Sequence, residues 1–468
     1  MKKRFDVISP VDGSRYLTME ESNPAQIARA IDRAAHAKKR WKHSSMADRI
    51  AVVEAFTESL VSQKAEIATS LTMCMGRPSQ FAEGEVNGTI DRALYMAGIA
   101  EQSLSDIEPT PKDGFKRYIK REPLGVVFVL SPWNYPYLTA VNAVIPAILA
   151  GNTVLLKHSD QTPLAAEHFK TAFEHAGLDE GVFQILHMDH ETTGQVLGDD
   201  CIDFVAFTGS DAGGAAITSA LAQRRGRNRF IGAGLELGGN DPAYVRPDAN
   251  IEHAAVNVIE GALFNSGQSC CGIERIYVHR DISEQFIHQA VAEAKKYRLD
   301  DPRKETTTLG PVVRQKNADS IRAQLTLALE AGAHPHIDAA TYGADRADTP
   351  YLAPQILTQV DHTMAVMANE TFGPCVGIMT VDSDEAAIKL MNDTPYGLTA
   401  SLWTQDVEAA EQLASEIDAG TIFMNRCDYL DPALAWTGVK NSGRGTTLSS
   451  IGFENLTRPK SYHLRTEV

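Results

Sequence analysis

The chain has 468 residues, 43% hydrophobic and 22% charged, with a formal net charge of −16. That length suits about three domains or two large ones, the composition is that of an ordinary globular protein rather than a disordered or fibrous one, and the acid excess argues against nucleic acid, whose phosphates draw on clustered Lys and Arg. The apolar windows PLGVVFVLSPWNYP and YLTAVNAVIPAILAGN are broken by Pro, Asn and Gly short of a membrane span, Asp6 and Pro10 interrupt the basic start before signal-peptide length, and the six cysteines lack zinc or disulfide spacing, so a cytoplasmic protein without a membrane segment is expected.

From Pro24 to Glu101 the apolar residues recur at helical spacing, as in IARAIDRAAHAKKRW, which predicts an N-terminal helical layer. Residues 102–124 are polar and punctuated by proline, and read as a loop or an exposed hairpin. After them come GVVFVLSPWNYP, an apolar helix, GNTVLLK, the helix AAEHFKTAFEHAG, VFQILH, DFVAFTGS and the helix DAGGAAITSALAQRRG. Short apolar runs alternating with helices mark parallel α/β structure, and strands apolar throughout are those covered on both faces. A second series runs from LELGGNDPAYV to NETFGPCVGIMTV, so two α/β lobes with a cleft between them are expected.

Four places could carry chemistry. In FNSGQSCCGIERIYVH, Cys270 and Cys271 follow a Gly turn that favours exposure, and an exposed thiolate is a nucleophile. The plainer reading of two adjacent cysteines is a pair of small buried hydrophobes. Asn134, at a strand end in SPWNYP, either donates to a developing oxyanion or closes an Asx turn. Glu236, before the two glycines of LELGGND, is either a general base with an elevated pKa or an exposed loop carboxylate. FTGSDAGG is a strand, a turn and a helix start whose free amides could hold a pyrophosphate, although the chain has no GxGxxG. No His/Cys/Asp cluster has metal-ligand spacing.

Taken in order, PWNYP, GNTVLLKHSDQTP, FTGS, LELGG, FNSGQSC, NETFGP, NDTPYGL and KNSG, from residue 132 to 443, resemble the aldehyde dehydrogenase superfamily, and the likeness extends from Pro10 to the end of the chain. The resemblance implies two Rossmann-like α/β lobes, cofactor-binding (1–104 and 125–237) and catalytic (238–445). It adds a small β oligomerisation element (105–124 and 446–468) and a homodimer or homotetramer. The implied reaction oxidises an aldehyde to the carboxylic acid with NAD(P), through a cysteine thiohemiacetal and thioester. Cys270 would be the nucleophile, Asn134 and the Cys270 amide the oxyanion hole, and Glu236 the base that activates water.

For the cofactor, Glu370 would hold the nicotinamide ribose, Phe372 would pack near that ring, Lys157 and Asp160 would contact the adenosine ribose, and Ser210 would meet the pyrophosphate. Trp133, Phe207, Gly209, Gly214 and Leu237 complete this set. NAD is expected ahead of NADP, because the Asp160 carboxylate would repel a 2′-phosphate. The substrate pocket would comprise Tyr135, Asn142, Ser269, Cys271, Leu430 and Trp436.

The chain departs from the family pattern at Ala143 and Thr447, where many relatives carry a Lys and a Glu, at Asp160, usually Glu, and at His158, usually Pro. The substrate stays open. Tyr135 and Trp436 match aromatic walls used for cationic aldehydes, with Asp428 and Asp431 nearby, whereas Arg426 in the same loop would favour an acidic semialdehyde. A CoA-acylating semialdehyde dehydrogenase is disfavoured by Glu236, and a catalytically silent protein of this fold by the presence of Cys270, Asn134 and Glu236.

Overall fold

The helical layer has ends written into its sequence. Pro24–Trp41 starts on a capping box in which Asn23 accepts the Gln26 N–H and the Gln26 side chain accepts that of Asn23. Ser45 and Asp48 repeat the device for Met46–Met75, which stops where Gly76 takes φ +84°, a left-handed conformation open to Gly without strain. The computed structural model describes residues 3–468 and completes the layer with Ser79–Ser103.

Two sheets follow. The first runs, in spatial order, Gly443–Arg444, Gly232–Glu236, Phe204–Thr208, Val126–Ser131, Thr153–His158 and Phe183–Ile185, parallel except for the Gly443–Arg444 edge. Val127, Val129, Val154 and Leu156 share one core with Phe56 and Phe169, while Val126, Phe128, Leu130 and Leu155 share another with Ile27, Ile31 and Leu221. Both faces are therefore dry, as the uninterrupted apolar runs require.

The second sheet has the order His334–Pro335, Gln355–Thr358, Cys375–Val381, Ile273–His279, Asp241–Val245, Thr399–Trp403 and Thr421–Met424, antiparallel only at the His334–Pro335 edge. Glu236 ends a strand of the first sheet and Asp241 begins one of the second, so Gly238 and Gly239 carry the chain from lobe to lobe. A Cβ at Gly238 would lie 2.6 Å from the Glu370 carboxylate, and one at Gly239 would strike the Cys270 carbonyl oxygen. The second position therefore admits only glycine, and a side chain at the first would displace the Glu370 carboxylate.

At two places the structure adds to the local expectation. Residues 102–124 turn back on themselves, Ile107 and Ile119 exchanging both main-chain hydrogen bonds at 2.9 Å, but Phe115–Pro123 takes its main partner elsewhere and pairs antiparallel with Thr457–Arg465 along its whole length. A polar strand whose partner lies at the far end of the chain has no local signature. Gly443–Arg444, assigned by sequence to the catalytic lobe, completes the edge of the first sheet beside Glu236. Among the described residues no helix is long and apolar enough to cross a membrane.

Candidate active site

Helix Ile251–Leu263 runs into a turn in which Asn265, Ser266 and Gly267 are all left-handed, with φ of 54°, 58° and 69°. Such a run is strained for side-chain-bearing residues and persists only where the surroundings hold it. Here Asn265 Nδ2 donates to the Asn134 and Gln268 carbonyls, at 3.1 and 3.2 Å, and Ser266 Oγ to the Gly310 carbonyl at 2.9 Å. Gln268 Oε1 accepts the Val313 N–H at 2.7 Å. Gly267 is obligatory, since a Cβ there would meet the Gly373 carbonyl oxygen.

The turn delivers the two cysteines into different settings. Cys270 is half-buried, and Cys271 is 3% exposed. Cys271 Sγ donates to Asp428 Oδ1 at 3.1 Å, and Ser269 Oγ donates to the same oxygen at 2.8 Å. Hydrogen bonding with Cys270, together with burial, pushes the Cys271 thiol well above the ordinary range. The buried-hydrophobe reading thus suits Cys271, and the accessible thiol is Cys270.

Asn134 is buried, and its carbonyl is fixed by Arg77 Nη2 at 2.9 Å as well as by Asn265. Arg77 forms a fully buried ion pair with Glu85 and packs 4.5 Å from the centre of the Tyr135 ring. Glu85 Oε1 in turn accepts the Tyr137 N–H at 2.8 Å, in the first turn of Pro136–Leu149. That helix has no cap from its own N-cap residue, Tyr135, and a carboxylate at this end answers both the orphan amides and the helix dipole. Among the described residues, neither the Asn134 side-chain amide nor the Cys270 main-chain N–H has a hydrogen-bond partner. Arg77, Glu85 and Asn265 were not singled out by sequence, because nothing in their spacing shows that two helices and a turn meet under Asn134.

Glu236 is half-buried and accepts from Thr447 Oγ1 at 2.5 Å and Thr208 Oγ1 at 3.2 Å. Burial raises its pKa, and the two hydroxyls pull the other way. One cavity of ≈380 Å³ is lined by Cys270, Cys271, Glu236, Tyr135, Asn142, Ser269, Leu430 and Trp436, together with Arg92 and Asp428. All six residues expected in the substrate pocket are on its wall. Arg426 and Asp431 are not: Arg426 is exposed and stacks 3.5 Å over the Tyr429 ring, and Asp431 is exposed and accepts the Ala433 N–H. Local sequence placed both in the loop but could not give the direction of their side chains.

A second crevice of ≈380 Å³ is lined by Trp133, Lys157, Asp160, Phe207, Gly209 and Ser210, among others. Ser210 caps Asp211–Ala222 by accepting the Gly213 N–H at 3.2 Å. A Cβ at Gly209 or Gly213 would collide with the Phe207 ring at 2.5 or 2.6 Å, so bare backbone faces the crevice there, as a pyrophosphate requires. Gly214 and Leu237 are buried against one another and lie off this wall. Glu370 and Phe372 are also outside the lining, beside the lobe crossing: Glu370 accepts the Gly239 N–H at 3.0 Å, and Phe372 meets Trp133 edge-on at 5.5 Å. Burial pushes Glu370 up to about 7. Glu274 holds this loop by accepting the Thr371 and Phe372 amides at 2.8 and 2.7 Å.

Asp160 points to Arg314, whose Nη2 lies 3.0 Å from its Oδ1. His158 is buried, lies 3.0 Å from the Pro136 carbonyl through Nε2, and is held neutral at about 4 by burial. Among the described residues no group of His, Cys, Asp and Glu could hold a metal ion.

An accessible thiol, a half-buried carboxylate and a nucleotide-sized crevice around one lobe crossing suit a cofactor-dependent oxidoreductase, and comparison with known proteins specifies which kind. The model of the aldehyde dehydrogenase family matches residues 1–462. An aldehyde dehydrogenase of Paenarthrobacter nicotinovorans is 33% identical over 461 residues, 97% of this chain and 98% of its own. A protein of Synechocystis sp. named as a probable succinate-semialdehyde dehydrogenase [NADP(+)] is 31% identical over 456 residues, 97% of this chain and 98% of its own. The crystal structure of an NAD-dependent aldehyde dehydrogenase from Sinorhizobium meliloti superimposes with a TM-score of 0.93 at 29% identity, covering 99% of this chain and 92% of that one. The chain belongs to the aldehyde dehydrogenase family. It is an NAD(P)-dependent enzyme that oxidises aldehydes to acids, and nothing found favours the CoA-acylating or the silent reading.

Proposed function

We propose that Cys270 is the nucleophile of this oxidation, that Asn134 and the Cys270 amide form the oxyanion hole, and that Glu236 activates water. The observation that carries the reading is the meeting of Cys270 and Glu236, both half-buried, on one cavity, with the Cys270 N–H and the Asn134 side-chain amide each without a protein partner among the described residues. The Cys270 thiolate adds to the aldehyde carbon, and the oxygen takes the negative charge beside the Asn134 side-chain amide and the Cys270 N–H. Arg77 and Asn265 hold the Asn134 main chain, so that its side chain is preorganised rather than recruited. NAD(P) supplies the acceptor for the hydride that the adduct loses. Glu236 then takes a proton from water, which attacks the thioester and releases the acid and the thiol. A raised pKa suits that task, since a stronger base takes the proton from water more readily.

Trp133, Lys157, Asp160, Phe207, Gly209 and Ser210 would hold the nucleotide along the crevice, and Glu370 and Phe372 would hold its nicotinamide end at the crossing. Gly214 and Leu237 support that wall from behind. We assign 1–104 and 125–237 to the cofactor lobe, with Gly443–Arg444 added to its sheet, and 238–445 otherwise to the catalytic lobe. Residues 105–124 and 446–468 are assigned to oligomerisation, because the exposed two-stranded ribbon they form is marginal without a further partner. A homodimer or homotetramer in the cytoplasm is the corresponding assembly. The test is a panel of aldehydes assayed for NADH and NADPH formation by the unmodified protein and by Cys270→Ala. Turnover that survives in the variant refutes the assignment.

A further inference from the structure

Arg92, in Ser79–Ser103, lines the same cavity as Cys270 and Glu236. Its Nη1 donates to the Leu138 carbonyl at 2.8 Å and to Asn142 Oδ1 at 3.2 Å. A guanidinium has five N–H groups in a planar fork. The two on Nη1 are therefore committed, and among the described residues the Nε and Nη2 groups have no partner and Arg92 has no ion pair. Burial lowers its pKa, which is the sign of a cation drawn out of water without full compensation.

The other charges on this cavity are accounted for. Arg77 and Glu85 neutralise each other, Asp428 accepts from Ser269 and Cys271, and Glu236 accepts from Thr447 and Thr208. Asp91 is exposed. What the cavity lacks is an anion hydrogen-bonded to Arg92, since Glu236 and Glu85 attract it only through space. We propose that the substrate is an aldehyde whose far end carries a carboxylate, and that Arg92 binds this carboxylate through its free edge. The proposal rests on the reading of Cys270 as the nucleophile. A carboxylate matches one guanidinium edge in a bidentate pair. A phosphate dianion would leave one of its charges unmatched by the single unpaired cation on the lining, and an ammonium tail would face Arg92 across a partly dry cavity.

The experiment compares aldehydes of matched length ending in carboxylate, methyl, ammonium or phosphate, with the unmodified enzyme, Arg92→Gln and Arg92→Lys. The carboxylate is expected to be preferred over the methyl end by about tenfold or more in kcat/KM, the scale of one charge-assisted hydrogen-bonded pair. Arg92→Gln removes that preference mainly through KM and lowers kcat/KM for the carboxylate-ended aldehyde by more than for the methyl-ended one, and Arg92→Lys restores part of it. An equal loss on both aldehydes, or a preference for the ammonium or phosphate end, overturns the proposal. A second readout needs no turnover: a dicarboxylate of matched length should slow iodoacetamide alkylation of Cys270 in the unmodified protein and not in Arg92→Gln. No protection overturns the Arg92 site, whereas failure of every aldehyde with protection intact refutes the nucleophile instead.

Discussion

Thr447 Oγ1 donates to Glu236 Oε1 at 2.5 Å, across the antiparallel edge where Gly443 pairs with Glu236. The position at which many relatives carry a Glu thus meets the base directly, and Ala143, the other departure, lines a small recess with both of them. A hydroxyl here stabilises the ionised carboxylate, whereas a second carboxylate would oppose it.

Thr447→Val should therefore raise the Glu236 pKa further. Water activation needs the carboxylate, so turnover falls as pH drops through that pKa, and the acid limb of the kcat profile should move to higher pH. One lost hydrogen bond corresponds to about one pH unit. A limb that stays in place, or moves to lower pH, contradicts the assignment of Glu236 as the group titrating there.

Cys270→Ala should abolish turnover, and Cys271→Ala should retain it, because Cys271 is 3% exposed and its thiol is tied to Asp428. Substrate should protect Cys270 from iodoacetamide. Peptide mapping that finds the protected label on Cys271 would reverse the two roles.

Glu236→Gln should still acylate and then release acid slowly, since hydride transfer precedes the water step. Rapid mixing should show a burst of reduced cofactor. Loss of the burst would mean that Glu236 also activates the thiol.

Glu85→Ala leaves Arg77 buried without its counter-charge and strips the acceptor from the Tyr137 amide. Breaking a buried pair from one side costs about 3–5 kcal/mol. Urea unfolding should show a lower midpoint at unchanged slope. Activity of the folded fraction should fall as well, through the Asn134 carbonyl that Arg77 holds; full activity per folded molecule would show that Arg77 is merely structural.

Cofactor choice is expected to depend on Asp160 and Arg314. The unmodified enzyme is expected to prefer NAD, with Asp160 presenting a carboxylate where a 2′-phosphate would sit. Asp160→Ser should improve NADP use, both by removing that charge and by freeing Arg314, now 3.0 Å from it, to meet the phosphate. The double variant Asp160→Ser/Arg314→Ala should lose the gain. Equal or better use of NADP by the unmodified enzyme would show that Asp160 is not the discriminator.

The succession of motifs, with the alternation of apolar strands and periodic helices, determined the family, the two sheets and the identity of Cys270, Asn134 and Glu236 as the residues to watch. Those features are local: a capping box, a Gly turn or a strand buried on both faces is decided within a few residues by backbone sterics and by the need to pair every amide. Tertiary structure alone decided which cysteine is closed off, that Arg77 and Glu85 lie under Asn134, that Arg314 reaches Asp160, that Arg92 rather than Arg426 faces the cavity, and that Phe115–Pro123 finds its partner in Thr457–Arg465. Each of these is a meeting of groups far apart in the chain, set by how helices and sheets pack. A charge carries no mark of its partner in its own sequence neighbourhood, so its role is settled only when packing removes the water around it and leaves one counter-group, or none, within reach.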